Sequence, residues 1–392
     1  MTQQKRPFPY GTLILSILAV LTVPVLVVRY VYGLGAMTNL SDGHGWGLWI
    51  SFDLYCGVAL AAGGFTLAAL VHVFHANKYH PVVRPAILTA FLGYLLVIFA
   101  LLVDLGQPWY IWRMIFNPNI HSPLYEVGWC VMLYTGVLAL ELSPAVFERL
   151  NWRIPLRIIG MIQVPLIIAG IVISTGHQNS LGSMLLIMRY TLDPLWYTPI
   201  LPALFFVSAV AVGPAMVILE STISGMAFGH RVSRDVLSSL GKIISYVLIL
   251  YLIMKIAAIA AAGNLDMIAN HYPQNVYWLA EVIGGVVLPI ILFSIPKVRQ
   301  SRAGLFGSAL LVICGLIFNR FNASLIQQVS RPGYTYFPSW QEFAVSIGLV
   351  AWAVIVFQIA VRLLPITKHH EEAEAAKPDQ AVSKATQASE PS

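Results

Sequence analysis

Six side chains in this sequence place an acid or an imidazole inside long apolar runs or at their ends. Asp53, Asp104, Glu126 and His177 fall near one surface of a membrane, and Glu141 and Glu220 fall near the other. An acid sunk in lipid is costly and usually faces a bundle interior or a water-filled cavity. No Lys or Arg in the surrounding runs is placed to neutralise Asp53 or Glu126. Buried acids without a counter-charge can exchange protons.

The stretch Tyr125–Glu141 is an apolar helix with a carboxylate at each end. Glu126 and Glu141 lie about 22 Å apart along its axis and differ by only about 60° in direction, so they share a face. Tyr134 stands between them on that face, with Cys130 and Val137. Thr175–Ser183 reads as a polar interruption that ends a helix at the outer surface. A Gly-flanked His177 beside Gln178 and Asn179 could hydrogen-bond a carbonyl of a bound ring. A quinone would suit it, since it needs a donor at its oxygens and a proton source on reduction.

Each group also has a purely structural reading. Lys255, Glu281 and Arg320 lie in three successive runs, where opposite charges can neutralise one another. Glu141 and Glu220 sit about one turn from a loop, where a surface acid can snorkel. Tyr94, near mid-depth, and Tyr134 are relay hydroxyls or simple packing. A b-type haem needs two axial histidines at similar depth. His72 and His75 sit at the inner end of one run, and no later run offers a well-buried histidine, so no haem is expected. Cys56, Cys130 and Cys314 stand isolated, so the chain has no ligand set for an iron–sulfur cluster and no metal site. The His369–His370 pair lies in a solvated tail.

The elements that must hold these groups are membrane helices. Of the 392 residues, 58% are hydrophobic and 10% charged, against about 25% charged in soluble domains. Ten runs reach the ~20 residues a bilayer requires, near 11–32, 47–75, 86–106, 123–142, 155–175, 198–224, 240–262, 274–296, 303–322 and 343–363. No small-residue cleavage site follows the first, which therefore reads as a span and not a signal peptide. Seventeen of the 23 Lys and Arg fall on one side of these spans, which predicts both termini in the cytoplasm. The net charge of +6 resides in those flanking loops and does not imply nucleic-acid binding. Three outer loops are aromatic: 107–122, Tyr190–Tyr197 and Arg331–Trp340. They form either an interfacial belt or a docking face for an extracytoplasmic partner. Residues 368–392 read as a disordered tail.

With these residues in view, the chain resembles the NrfD/polysulfide-reductase membrane-subunit family. The likeness rests on Gly45–Asp53, Tyr79–Pro85, Gly93-Tyr94 with Asp104–Gly106, Tyr125–Pro144, His177–Gly182, Glu220-Ser221 and Gly333–Glu342. It is nearest to the kind serving hydrogenase-2 type NiFe hydrogenases. The resemblance implies an all-α integral membrane fold with two four-helix bundles, spans two to five and six to nine, and a flanking helix at each end of the chain. The corresponding divisions are 1–43, 44–197 with a quinone site, 198–322, 323–367 and the tail 368–392. It implies menaquinone, or another quinone, bound near the extracytoplasmic face of the first bundle, without haem. Asp53, Tyr94, Glu126 and His177 become quinone-site and proton-handling residues, with Asp104 close to the ring. Glu141, Glu220 and Tyr134 become a proton route from the cytoplasm. The implied partners are a ferredoxin-like iron–sulfur subunit and the large and small NiFe hydrogenase subunits outside a bacterial inner membrane, with membrane lipid around the helices. The chain would serve a hydrogen:quinone oxidoreductase while performing no hydrogenase chemistry itself.

Two other readings compete. A proton-coupled secondary transporter would also use buried acids and broken helices, but the halves show no convincing repeat. A passive anchor would use the polar groups only to hold its helices together.

Overall fold

The computed structural model describes residues 9–229, 232–328 and 335–366. The tail, the His369–His370 pair, the flanking cations Lys5, Arg6 and Arg231, and part of the third aromatic loop lie outside them. Among the described residues ten helices are long and apolar enough to cross a membrane. They are α1 (Tyr10–Tyr32), α2 (Trp49–Val73), α3 (Asn77–Asp104), α4 (Pro123–Leu150), α5 (Arg153–Leu186), α6 (Leu201–Phe228), α7 (Arg234–Ala261), α8 (Gln274–Ser294), α9 (Arg302–Ile326) and α10 (Trp340–Leu363). Each matches one expected span, and the protein is an all-α integral membrane protein.

Helices α2 to α5 close into one four-helix bundle and α6 to α9 into a second, joined where α6 packs on α2 and α5. The flanking helices pair with each other: α1 packs along α10, and α10 lies against α3. Glycines set the closest crossings, as small residues do in membranes. A Cβ on Gly213 of α6 would sit 2.9 Å from the Ala62 carbonyl oxygen of α2. A Cβ on Gly315 of α9 would sit 2.2 Å from Cα of Gly285 on α8.

Helix α5 departs most from expectation, running on through residues 175–186. Two of its serines there bond back within the helix. Ser180 Oγ donates to the Gly176 carbonyl at 2.9 Å and Ser183 Oγ to that of Asn179 at 3.0 Å. Gln178 Nε2 reaches the Val58 carbonyl on α2 at 3.3 Å. The polar run therefore faces the bundle and terminates nothing.

Candidate functional site

The predicted residues fall into three places. The first is the interior of the α2–α5 bundle. His177 is fully buried inside α5, with Nδ1 3.0 Å from the Tyr94 hydroxyl on α3. The Tyr94 ring meets that of Tyr134 on α4 edge to face, with centroids 4.7 Å apart. Ser174, one turn before His177, is buried within reach of both phenols. His177 Nε2, Ser174 Oγ and the Tyr134 hydroxyl make no hydrogen bond of normal geometry. Gly170 on α5 admits the next group: its Cβ position lies 3.6 Å from the Tyr134 ring and 3.4 Å from Glu141 Oε1. A line of polar groups thus runs from Glu141 through Tyr134, Ser174 and Tyr94 to His177. Glu141 in turn lines a part-polar cavity of about 320 Å³ at the Leu150 end of α4, with His72, His80 and Gln163. Arg84 and Glu148 close one wall through a bidentate pair at 2.7 and 2.9 Å.

The second place is a cavity of about 330 Å³ between α2, α3, α6 and α10, with apolar walls that include Phe52, Leu92, Met216 and Phe357. Asp53 and Glu220 both line it. Asp53 sits in a π-helical turn over Trp49–Cys56, a distortion frequent at functional sites. Its Oδ2 accepts a hydrogen bond from Ser346 of α10 at 2.7 Å, and its Oδ1 has no partner among the described residues. Glu220 accepts from Thr89 at 2.6 Å.

The outer rim holds the rest. Arg29 of α1 is buried and donates to the Val103 carbonyl at 2.6 Å and to that of Leu105, within charge range of Asp104. Glu126 is exposed in the first turn of α4, which Ser122 caps. Nearby, Tyr336 donates to Glu342 Oε1 at 2.5 Å and accepts from the Leu48 amide at 2.9 Å. Burial, then the Glu342 contact, holds this phenol above its ordinary pKa. Trp109, Trp112, Phe116, Tyr190, Phe337 and Trp340 are exposed on the outer loops or at their edges, as either a belt or a docking face requires.

A model of the family described as polysulphide reductase, NrfD, matches residues 36–329. The chain belongs to the NrfD family. It is 32% identical over 374 residues to the probable Ni/Fe-hydrogenase 2 b-type cytochrome subunit of Escherichia coli, covering 92% of this chain and 95% of that one. It is 30% identical over 370 residues to the integral membrane subunit of menaquinone reductase of Nitratidesulfovibrio vulgaris, covering 87% of each. A further N. vulgaris protein is 37% identical over 373 residues, covering 92% of this chain and 95% of that one. This NrfD chain is thus a membrane subunit of a redox complex.

Two sequence expectations need correction. His177 is not in a helix-terminating loop, and it is a well-buried histidine of the kind the later spans were expected to lack. Glu126 is not sunk in the bundle, because the outer turn of α4 stands clear of its neighbours. For Asp104 the structure adds a basic neighbour, Arg29, supplied by α1 from outside the bundle. Sequence reasoning also passed over Ser346, Thr89, Ser174 and the Arg84–Glu148 pair. Their only signal was a polar side chain in or beside an apolar run. Among the described residues no group of three or more His, Cys, Asp or Glu is placed to hold a metal ion.

Proposed function

We propose that this NrfD subunit is the haem-free, quinone-reactive membrane subunit of a respiratory NiFe hydrogenase. It passes electrons between a partner iron–sulfur subunit and menaquinone. The observation that carries this reading is the cavity beside Asp53. An apolar cavity of roughly 150 Å³ holds a benzene ring. One of about 330 Å³ therefore has room for a fused two-ring quinone. Apolar walls with two acids, Asp53 and Glu220, suit such a ring, and the Asp53 Oδ1, unpartnered among the described residues, offers it a hydrogen-bonding group. The hydrogenase-named and menaquinone-reductase-named relatives support the same choice.

Menaquinone, when bound, accepts two electrons and two protons. Asp53, oriented by Ser346, gives and takes a proton at Oδ1 in the outer half of the cavity. Glu220 serves the inner half, held by Thr89. In the bundle interior, protons from the cytoplasm reach Glu141 through the inner polar cavity and continue by Tyr134, Ser174 and Tyr94 to His177. Glu126 exchanges protons at the outer surface, and Asp104 beside Arg29 shapes the field there. The exposed outer aromatics receive the iron–sulfur subunit, which connects to the hydrogenase large and small subunits. Both termini lie in the cytoplasm of a bacterium, and the helices lie in its inner membrane. Uptake of protons from that side builds a proton-motive force.

The E. coli relative carries a b-type cytochrome in its name, but the histidines here fit a haem poorly. A b-type haem needs two axial histidines at similar depth, but His177 is buried among α3 and α5 while His72 lines the cavity at the opposite end of the bundle. A pyridine haemochrome spectrum of the purified complex should be featureless. The menaquinone-reductase relative favours one second reading, in which the same quinone chemistry serves another catalytic subunit.

The test is Asp53→Asn in the whole complex. Hydrogen-dependent quinone reduction should fall by at least about 100-fold, the scale of a lost proton-transfer group, while hydrogen uptake with a soluble dye persists. Full quinone reduction in Asp53→Asn, Glu126→Gln and His177→Ala alike would defeat the assignment. Affinity purification with mass spectrometry and lipid extraction identifies partners and quinone together.

A further inference from the structure

The second bundle buries three charges that do not cancel. Lys255 of α7, Glu281 of α8 and Arg320 of α9 are all at most 5% exposed. Lys255 Nζ pairs with Glu281 Oε1. The same carboxylate accepts from Trp196 Nε1 at 2.8 Å and from Asn319 and Asn322 Nδ2 at 2.9 Å each. It has nothing left for Arg320.

Among the described residues the hydrogen-bond partners of Arg320 are all neutral. Its Nη1 donates to Asn319 Oδ1 at 2.8 Å, and its Nη2 donates to Ser208 Oγ at 2.8 Å and the Phe205 carbonyl at 3.2 Å. Its guanidinium lies over the Phe205 ring, 3.5 Å from the centroid. Its Nε has no partner among the described residues. The neighbouring acids are turned elsewhere. Asp193 accepts from the Leu195 amide and lies 2.8 Å from His271 Nε2, while Asp53 bonds Ser346. The cluster is left with one positive charge in excess, in surroundings where an uncompensated charge is strongly disfavoured.

A small cavity of about 20 Å³ lies against both cations. Lys255 and Arg320 line it together with Trp196, Thr198, Tyr251 and Asn319, and Glu281 does not. One water needs roughly 10–15 Å³, so a carboxylate or phosphate is too large and a single-atom anion is not. We propose that this cavity holds one halide-sized anion, chloride by abundance, which neutralises the second bundle. Since residues 195–198 form part of its wall, the ion also ties the outer loop to α6, α7 and α9. This site is separate from the quinone cavity and independent of that reading.

The complete complex, purified with bromide as the sole halide, tests it by diffraction at the bromine edge. One anomalous peak is expected between Lys255 and Arg320; density without anomalous signal there overturns the proposal. Thermal unfolding at constant ionic strength supplies a second measurement. Replacing gluconate by chloride should raise the melting temperature of the wild-type complex saturably by several degrees, and Arg320→Gln should abolish that dependence. An undiminished dependence in Arg320→Gln would place the effect at another site and overturn the proposal. If that variant fails to assemble, the bromide map of the unaltered complex decides.

Discussion

The Tyr94 hydroxyl stands 3.0 Å from His177 Nδ1, and both side chains are fully buried. The second ring nitrogen, Nε2, has no partner. A neutral imidazole has one nitrogen that donates and one that accepts. Taking a proton on one and releasing it from the other would let His177 pass a proton without ending as a buried cation. The tautomer is then set by which way Tyr94 shares its hydrogen.

Tyr94→Phe should therefore disable the relay while preserving volume. It leaves His177 Nδ1 buried without a partner, which costs about 1–3 kcal/mol. The complex should still assemble, with dye-linked hydrogen uptake retained. Quinone reduction coupled to proton uptake, followed by a pH-sensitive dye in vesicles, should fall sharply. Unaltered proton uptake would remove Tyr94 from the route.

Ser346→Ala probes a contact between the flanking helix and the quinone cavity. It removes the one side-chain hydrogen bond that Asp53 makes among the described residues, again at about 1–3 kcal/mol. Asp53 then loses its fixed orientation. The KM for a soluble menaquinone analogue should rise in steady-state assays, and the hydrogen-to-dye rate should not change. Equal kinetics in variant and wild type would show that Asp53 needs no such anchor.

Gly315→Val should be among the most damaging single changes in the chain. The added carbons would enter the backbone of Gly285 on the facing helix. Overpacking of this kind costs typically 1–3 kcal/mol and sometimes more, and backbone cannot move aside as a side chain can. A lower melting temperature in detergent, read by tryptophan fluorescence, is the measurement. A wild-type melting point would mean that α8 and α9 cross elsewhere.

Lys255→Met removes the cation from a buried pair and leaves Glu281 without its direct ionic partner. Breaking such a pair by one partner costs about 3–5 kcal/mol. Adding Glu281→Gln should restore part of that loss, because the amide keeps the side chain's shape and needs no counter-charge. Chemical denaturation of both variants gives the comparison. A double variant less stable than the single one would contradict the pairing.

Gly160→Cys tests the orientation and the inner cavity together. Gly160 lines that cavity, and a Cβ there meets nothing within 4 Å. In a background with the exposed Cys314 replaced by Ala, a membrane-impermeant maleimide should label Cys at this position from the cytoplasmic side only. Labelling from outside would invert the assigned topology.

The ten helices were legible in the sequence because a bilayer selects spans by local hydropathy, and every stretch carries its own signal. The depth of each ionisable group followed from its place in its span. Which groups meet was decided only by packing. Asp53 and Ser346 are 293 residues apart, and no local pattern links them. Glu126 and Glu141 share a helix face, yet one is exposed and the other lines an inner cavity, because neighbouring helices cover only part of α4. His177 entered the bundle because Ser180, Ser183 and Gln178 found partners without breaking α5. Hydropathy acts along the chain, one segment at a time, whereas a cavity exists only between segments, so the shared sites of these acids belong to the tertiary structure alone.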